Sequence, residues 1–251
     1  MNQTFNEVIF MADEKIDIRI TPSFDARAVE GQILGETKSA AAQEHAKPTV
    51  TLFAGLHQDL ARLHAARQAL EQDPTSTPEA RAVQLAKTAE KLGARIGQRM
   101  TEHLSRLESD IGALEAALSA PVTEQAARPV AQEIRAHFKG LSTSERSSAA
   151  RMAIQNGDDI TATAILGAPP YLSGLQADMQ QTLLSMYHKS RNPDSAEKLE
   201  VLRRSRDILV NNSALVRGEL IAAVGAQPDE AAEWQKRQDV ASAAIRRVLE
   251  G

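Results

Sequence analysis

The sequence predicts an all-α protein, and three observations carry that prediction. Hydrophobic residues make up 42% of the chain but aromatics only 3%. The core must therefore be mostly Leu, Ile, Val, Met and Ala, which suits interlocking helices better than strands rich in aromatic and β-branched residues. Apolar residues recur in steps of three and four over long stretches. Proline stands at the start of several of those stretches, the one helical position where its missing N–H costs nothing. The architecture expected within this class is a long antiparallel helical hairpin plus a helical bundle, with one short N-terminal β-strand or arm. The expected division is an arm and linker over 1–47, the hairpin over 48–120, and short then long helices over 121–251.

In the arm, Ile16, Ile18 and Ile20 alternate with Asp17, Arg19 and Thr21, the period-two pattern of a half-buried strand. Pro22 ends it. A weak helical pattern follows from Ala26 to Leu34, and Gly35 to Pro48 reads as a polar, Ala-rich linker. Such a strand needs partners for its backbone groups, and a lone strand is unstable. The rest of the chain offers no convincing second strand, so Lys15 to Thr21 is expected to pair with a strand of another chain. The competing reading is an extended arm whose isoleucines pack on helices.

Pro48 opens the first long helix, to about Gln72. Phe53, Leu56, Leu60, Leu63, Arg67 and Leu70 step by 3, 4, 3, 4 and 3, a heptad seam with one polar member. Asp73 to Pro78 makes a turn. Thr77 caps the second long helix, with Pro78 at its first position and Glu79 facing the positive end of the dipole. That helix is expected to run to about Leu118 and to stop before Pro121. Its stripe from Leu85 to Leu118 has a mean step of about 3.67 residues, so it is expected to be straight or slightly right-handed. A short turn between two long helices implies an antiparallel pair.

Shorter helices are expected next. Pro129 opens one that Gly140 closes. Ser142 and Glu145 form a capping box for another, which Asn156-Gly157 ends. Asp158 caps a third, which stops at Gly167. Pro169-Pro170-Tyr171 then excludes helix and favours extended backbone. A third long helix is expected from Asn192-Pro193 to Val224, with Gly225 as its stop. It carries Arg206 on its seam. Pro228 opens the last helix, whose apolar face is Trp234, Ala241, Ile245 and Val248.

Several functions are disfavoured by the residues themselves. The chain carries −4 net charge and no cysteine, which excludes disulfides, thiolate metal sites and thiol catalysis. No segment is strongly basic, so no field for nucleic acid is visible. The one tight basic cluster, Arg203, Arg204 and Arg206, has Glu197, Glu200 and Asp207 within helical reach. The run Val8 to Ala12 is too short for a secretory segment, and no stretch approaches a membrane span. Virion or cytoplasm is the expected location. The histidines lack metal-ligand spacing, Asp158-Asp159 reads as a cap, and the glycines form no phosphate-binding loop. No catalytic, cofactor or metal residue is therefore expected. Arg67 and Arg206, each on an apolar seam, must either reach out to solvent or meet a carboxylate, in the latter case fixing the register of two helices.

The stretch Thr161 to Leu175, TATAILGAPPYLSGL, resembles segments of uncharacterised helical proteins encoded among tailed-phage and prophage structural genes. The resemblance implies a virion or assembly role and transfers no site residue. The function expected is a non-enzymatic helical protein that works by self-association or by docking with other structural proteins. The alternative is a cytoplasmic helical adaptor or regulator for a partner protein. Ile16, Ile18, Ile20, Pro169, Pro170 and Tyr171 are the expected partner contacts.

Overall fold

The computed structural model describes residues 19–250. All regular structure among them is helical. The residues fall into two compact units that do not follow chain order. Of the described residues, one gathers 19–29, Val50–Met100 and 211–250. The other gathers Glu30–Thr49 and Thr101–Val210.

The expected strand is not found where it can be seen. Arg19 and Ile20 form a turn and bend, and Pro22–Phe24 is a 3-10 turn. The Thr21 N–H donates to Glu219 Oε1 at 3.3 Å, so it bonds a helix side chain and no ladder. Ile16 and Ile18 lie outside the described residues. The linker is also more ordered than its composition suggests. After α1 (Ala26–Leu34), α2 (Ala40–Glu44) is capped by Ser39. Glu197 Oε2 accepts from the backbone N–H of Lys38 and Ser39 at 2.9 and 2.7 Å, and Ala42 and Ala46 are buried. Remote carboxylate bonds and alanine-sized contacts hold this segment, and neither leaves a periodic signal.

In the first unit, α3 (Lys47–Glu71) and α4 (Pro78–Ala126) pair antiparallel over the residues they place there. Asp59 on α3 meets Arg95 and Arg99 on α4, both at 3.2 Å. The pairing follows from the seam: Phe53, Leu56 and Leu60 of α3 are fully buried and Leu63 nearly so, and Leu85, Ala89, Leu92 and Ile96 of the α4 stripe are buried as well. Phe24 adds a ring 6.0 Å from Phe53. The turn forms because Asp73 Oδ1 accepts from the Thr75 N–H and hydroxyl, and Thr77 Oγ1 then caps α4.

Two helix ends differ from expectation. Pro121 does not stop α4, which continues to Ala126. Proline there removes one hydrogen bond and strains the preceding turn. Its ring lies on the exposed side, while Leu118, Val122 and Ala126 are buried on the other. Packing of those three side chains outweighs the lost bond. The third long helix is instead two, α10 (Pro193–Ser213) and α11 (Val216–Val224). The break follows Asn211-Asn212-Ser213, residues whose side chains compete with helical backbone bonds. Asn212 Nδ2 donates to Ser23 O at 3.1 Å.

The second unit is built around short, tightly capped helices: α5 (Pro129–Gly140), α6 (Thr143–Asn156), α7 (Asp159–Leu166), α8 (Pro170–Ser173) and α9 (Ala177–Arg191). The Ser142/Glu145 capping box and the Asp158 cap form as expected. α7 packs against α5, α6, α8 and α9. Ile165, Leu183, Ile154, Phe138 and Val122 make its core. Gly167 lies against the Val122 carbonyl and Ala126, where any Cβ would collide, so glycine is required for this close approach.

Candidate docking surface

The most exposed large apolar residues described in the first unit lie on its last helix, α12 (Pro228–Glu250). Pro228 starts it, and Glu230 Oε2 accepts from the Gln227 N–H at 2.9 Å. Asp229 and Glu230 in the first turn favour the positive end of the dipole. Ala231 is buried and Trp234 half-buried. From Lys236 to Leu249 every residue is exposed. Within that stretch Ile245 is 66% exposed, Val248 81% and Leu249 82%. With Ala241 and Ala244 they fall within one side of a 3.6-residue helix, with Lys236, Asp239, Arg246 and Arg247 outside the stripe. Val240, also exposed, lies off this stripe. The sequence marks Trp234, Ala241, Ile245 and Val248 as one face, and the structure leaves the last three uncovered.

An open apolar groove of about 470 Å³ lies beside the start of α12 in the same unit. Val83, Ala86 and Ala89 of α4, Leu220, Ile221 and Val224 of α11, and Ala231 of α12 line it. Arg67 acts at the end of α11. Its Nε bonds Glu71 at 3.0 Å, and its Nη1 donates to Ala222 O at 3.1 Å. Gly225 lies against the guanidinium and takes φ 78°, a left-handed conformation that favours glycine. Arg67 therefore reaches out of the seam, pairs along its own helix and satisfies a carbonyl of α11 that has no intrahelical donor. Arg206 pairs with its neighbour Asp207 at 2.7 Å, so its charge is met locally.

Of the residues expected from sequence to touch partners, Ile20 is 3% exposed and already covered. Pro169, Pro170 and Tyr171 come together at the start of α8. Pro170 opens this single turn of helix where extended backbone is expected. The reason is that only Pro169, at φ −49° and ψ 136°, is extended, while Pro170 takes the first helical position that proline tolerates. Gln180 Nε2 pins the preceding strand of carbonyls, donating to Leu166 O at 3.0 Å and Ala168 O at 2.6 Å. Arg146 donates to the carbonyls of Phe138, Leu141 and Gly174. On this fixed bend Tyr171 is 67% exposed.

A polar cleft of about 400 Å³ in the second unit lies among α4, α9 and α10. Its charges meet each other: Arg203 pairs with Glu115 at 2.5 Å and Lys189 with Glu200 at 3.2 Å. Burial lowers the pKa of His188, which also lines the cleft. Burial pushes the Glu200 carboxyl up, but the hydrogen bonds and charges of Lys189 and Arg204 together outweigh it and lower its pKa. His103 shares a hydrogen bond of 2.8 Å with Thr49 Oγ1. Burial and the Arg106 charge lower its pKa. Among the described residues no three His, Asp or Glu side chains gather where they could hold a metal ion. No described helix is long and apolar enough to cross a membrane.

No family model, no characterised protein and no solved structure matches the chain.

Proposed function

We propose that this protein is a non-enzymatic helical assembly protein that works by burying the apolar stripe of α12 against another chain. The single observation behind this reading is that Ile245, Val248 and Leu249 lie together on one side of a formed helix and are all largely exposed. An exposed contiguous apolar face marks an interaction site more often than an exposed single residue does. Burying each of these side chains releases roughly 1.5–3 kcal/mol. Three of them on each of two partners offset an association cost of roughly 4–15 kcal/mol. The resemblance of Thr161–Leu175 to phage structural gene products gives the setting in this reading, a virion component acting with itself or with other structural proteins.

The test is the solution molar mass of the wild-type chain beside Ile245→Asp/Val248→Asp, by light scattering over a concentration series. The reading expects a multiple of the chain mass for the wild type and the single-chain mass for the variant, with unchanged helicity. Equal masses for the two proteins would sink it. The pinned display of Tyr171 favours a second reading, an adaptor that binds a foreign protein through the α8 bend. In that case Tyr171→Ala weakens capture of the partner and the α12 variant does not.

A further inference from the structure

The exposed end of α12 carries more than an apolar stripe. Ala231, Trp234, Gln238, Ala241, Ile245 and Val248 step by 3, 4, 3, 4 and 3, the spacing of a two-helix seam. The seam starts in the fold, where Ala231 is buried and Trp234 half-buried, and runs out of it from Gln238 onward. We propose that this segment pairs, parallel and in register, with the same segment of a second copy of the chain. The proposal rests on the reading of α12 as the assembly surface and names its partner.

Two features point to a copy and not to a foreign helix. The first is the flanks. Positions beside a seam usually carry the charges that select a partner. Here they are Glu230, Gln235, Arg237, Ser242, Ala244 and Leu249. In a parallel pair Glu230 lies opposite Gln235 of the copy, Arg237 opposite Ser242 and Ala244 opposite Leu249, so a copy brings no like charges together across the seam. The second is Gln238, the one polar member of the seam. In parallel register its amide meets the copy's own amide, donor to acceptor. Shifted or antiparallel pairings set the amide against Ala241, Ile245 or Val248 and leave it unsatisfied on burial. A single polar seam residue of this kind fixes register and orientation at some cost in affinity.

The chain has no cysteine, so single introduced cysteines report proximity cleanly. Val248→Cys places a thiol on the seam, and Lys236→Cys places one on the opposite, exposed side. Disulfides form only between Cα atoms within about 7 Å. With an added oxidant the full-length Val248→Cys chain is expected to cross-link to a dimer at least tenfold faster than Lys236→Cys. Ile245→Asp is expected to raise the dissociation constant at least tenfold by sedimentation equilibrium, and Ile245→Leu to leave it within about threefold. Circular dichroism checks that each variant folds. If Ile245→Asp abolishes association while the two cysteines cross-link equally slowly, parallel pairing is overturned and α12 remains the assembly surface. A wild-type chain that stays single while binding anionic vesicles through α12 overturns the pairing as well. If Ile245→Asp changes nothing, both the pairing and the reading beneath it fail.

Discussion

The α5–α9 cluster and the far end of α12 are both built from small and aliphatic residues at helical spacing, yet one is closed and the other open. In the cluster, Ile165 and Leu183 are at most 1% exposed, and the loops between helices are tied by side chains. Arg146 satisfies several carbonyls at once, and Gln180 satisfies those at the end of α7. In α12, Ile245 and Val248 are largely exposed, with no such closure among the described residues. The difference teaches that spacing marks which face is apolar, while only a neighbouring element decides whether that face is core or contact surface. One region uses its hydrophobic surface in its own fold, and the other leaves it exposed.

The sharpest way to break this comparison is truncation in both regions. Leu183→Ala should cost roughly 2–5 kcal/mol of stability, the usual range for a buried leucine. Ile245→Ala should change the stability of the single chain by less than about 0.5 kcal/mol. Chemical denaturation at low protein concentration measures both. Comparable losses would mean that α12 is covered within one chain. Gly167→Ala should come next, because its Cβ would collide with the Val122 carbonyl. A loss of roughly 1–3 kcal/mol is expected, the range for overpacking, and a neutral result would show that α7 and α4 are loosely apposed.

Acid should act on the second unit in particular. His45, His103 and His188, all in that unit, have pKa values lowered from 6.5, each with burial as the largest cause. Lys198 adds to the lowering at His45 and Arg106 at His103, while Asp110 opposes both. A lowered histidine pKa means that the unfolded chain binds more protons than the folded one below about 6.5. Stability is therefore fully present above that value and falls as pH drops through the window beneath it. Thermal midpoints taken between about pH 8 and about pH 5 should decline once below 6.5, and His188→Gln should make the decline shallower. A flat profile would contradict the burial assigned to these rings. The smallest effect is expected at Tyr171. Its replacement by Ala should leave helicity and thermal midpoint unchanged, because the backbone under it is held by Gln180 and Arg146. A fall in the midpoint would show that the ring holds the bend.

What the sequence made legible was what lies close along the chain. The capping box of Ser142 and Glu145, the Asp158 cap, the stop at Gly225 and the start at Pro78 each need only a few neighbouring residues. The seams of α3 and α4 were legible too, because periodicity reports a buried face directly. What was hidden depends on distant partners. Pro121 stays within α4 because Val122 packs into a core built from α5 to α9. The break after Ser213 is accompanied by a bond from Asn212 to Ser23. The segment from Gly35 to Pro48 is ordered by Glu197, far along the chain, and Ile20 is turned inward by a backbone that ends in a bend. The candidate surface was half legible: the face of α12 could be drawn from its spacing, but not its exposure.

Hydrogen exchange at the backbone amides of residues 238–249, followed as protein concentration is raised, tests the central claim most directly. If α12 is the assembly surface and a second copy covers it, protection there rises with concentration while the amides of α7, already enclosed, keep constant rates. Rates at 238–249 that do not change with concentration, in a chain that nonetheless associates, would contradict the account.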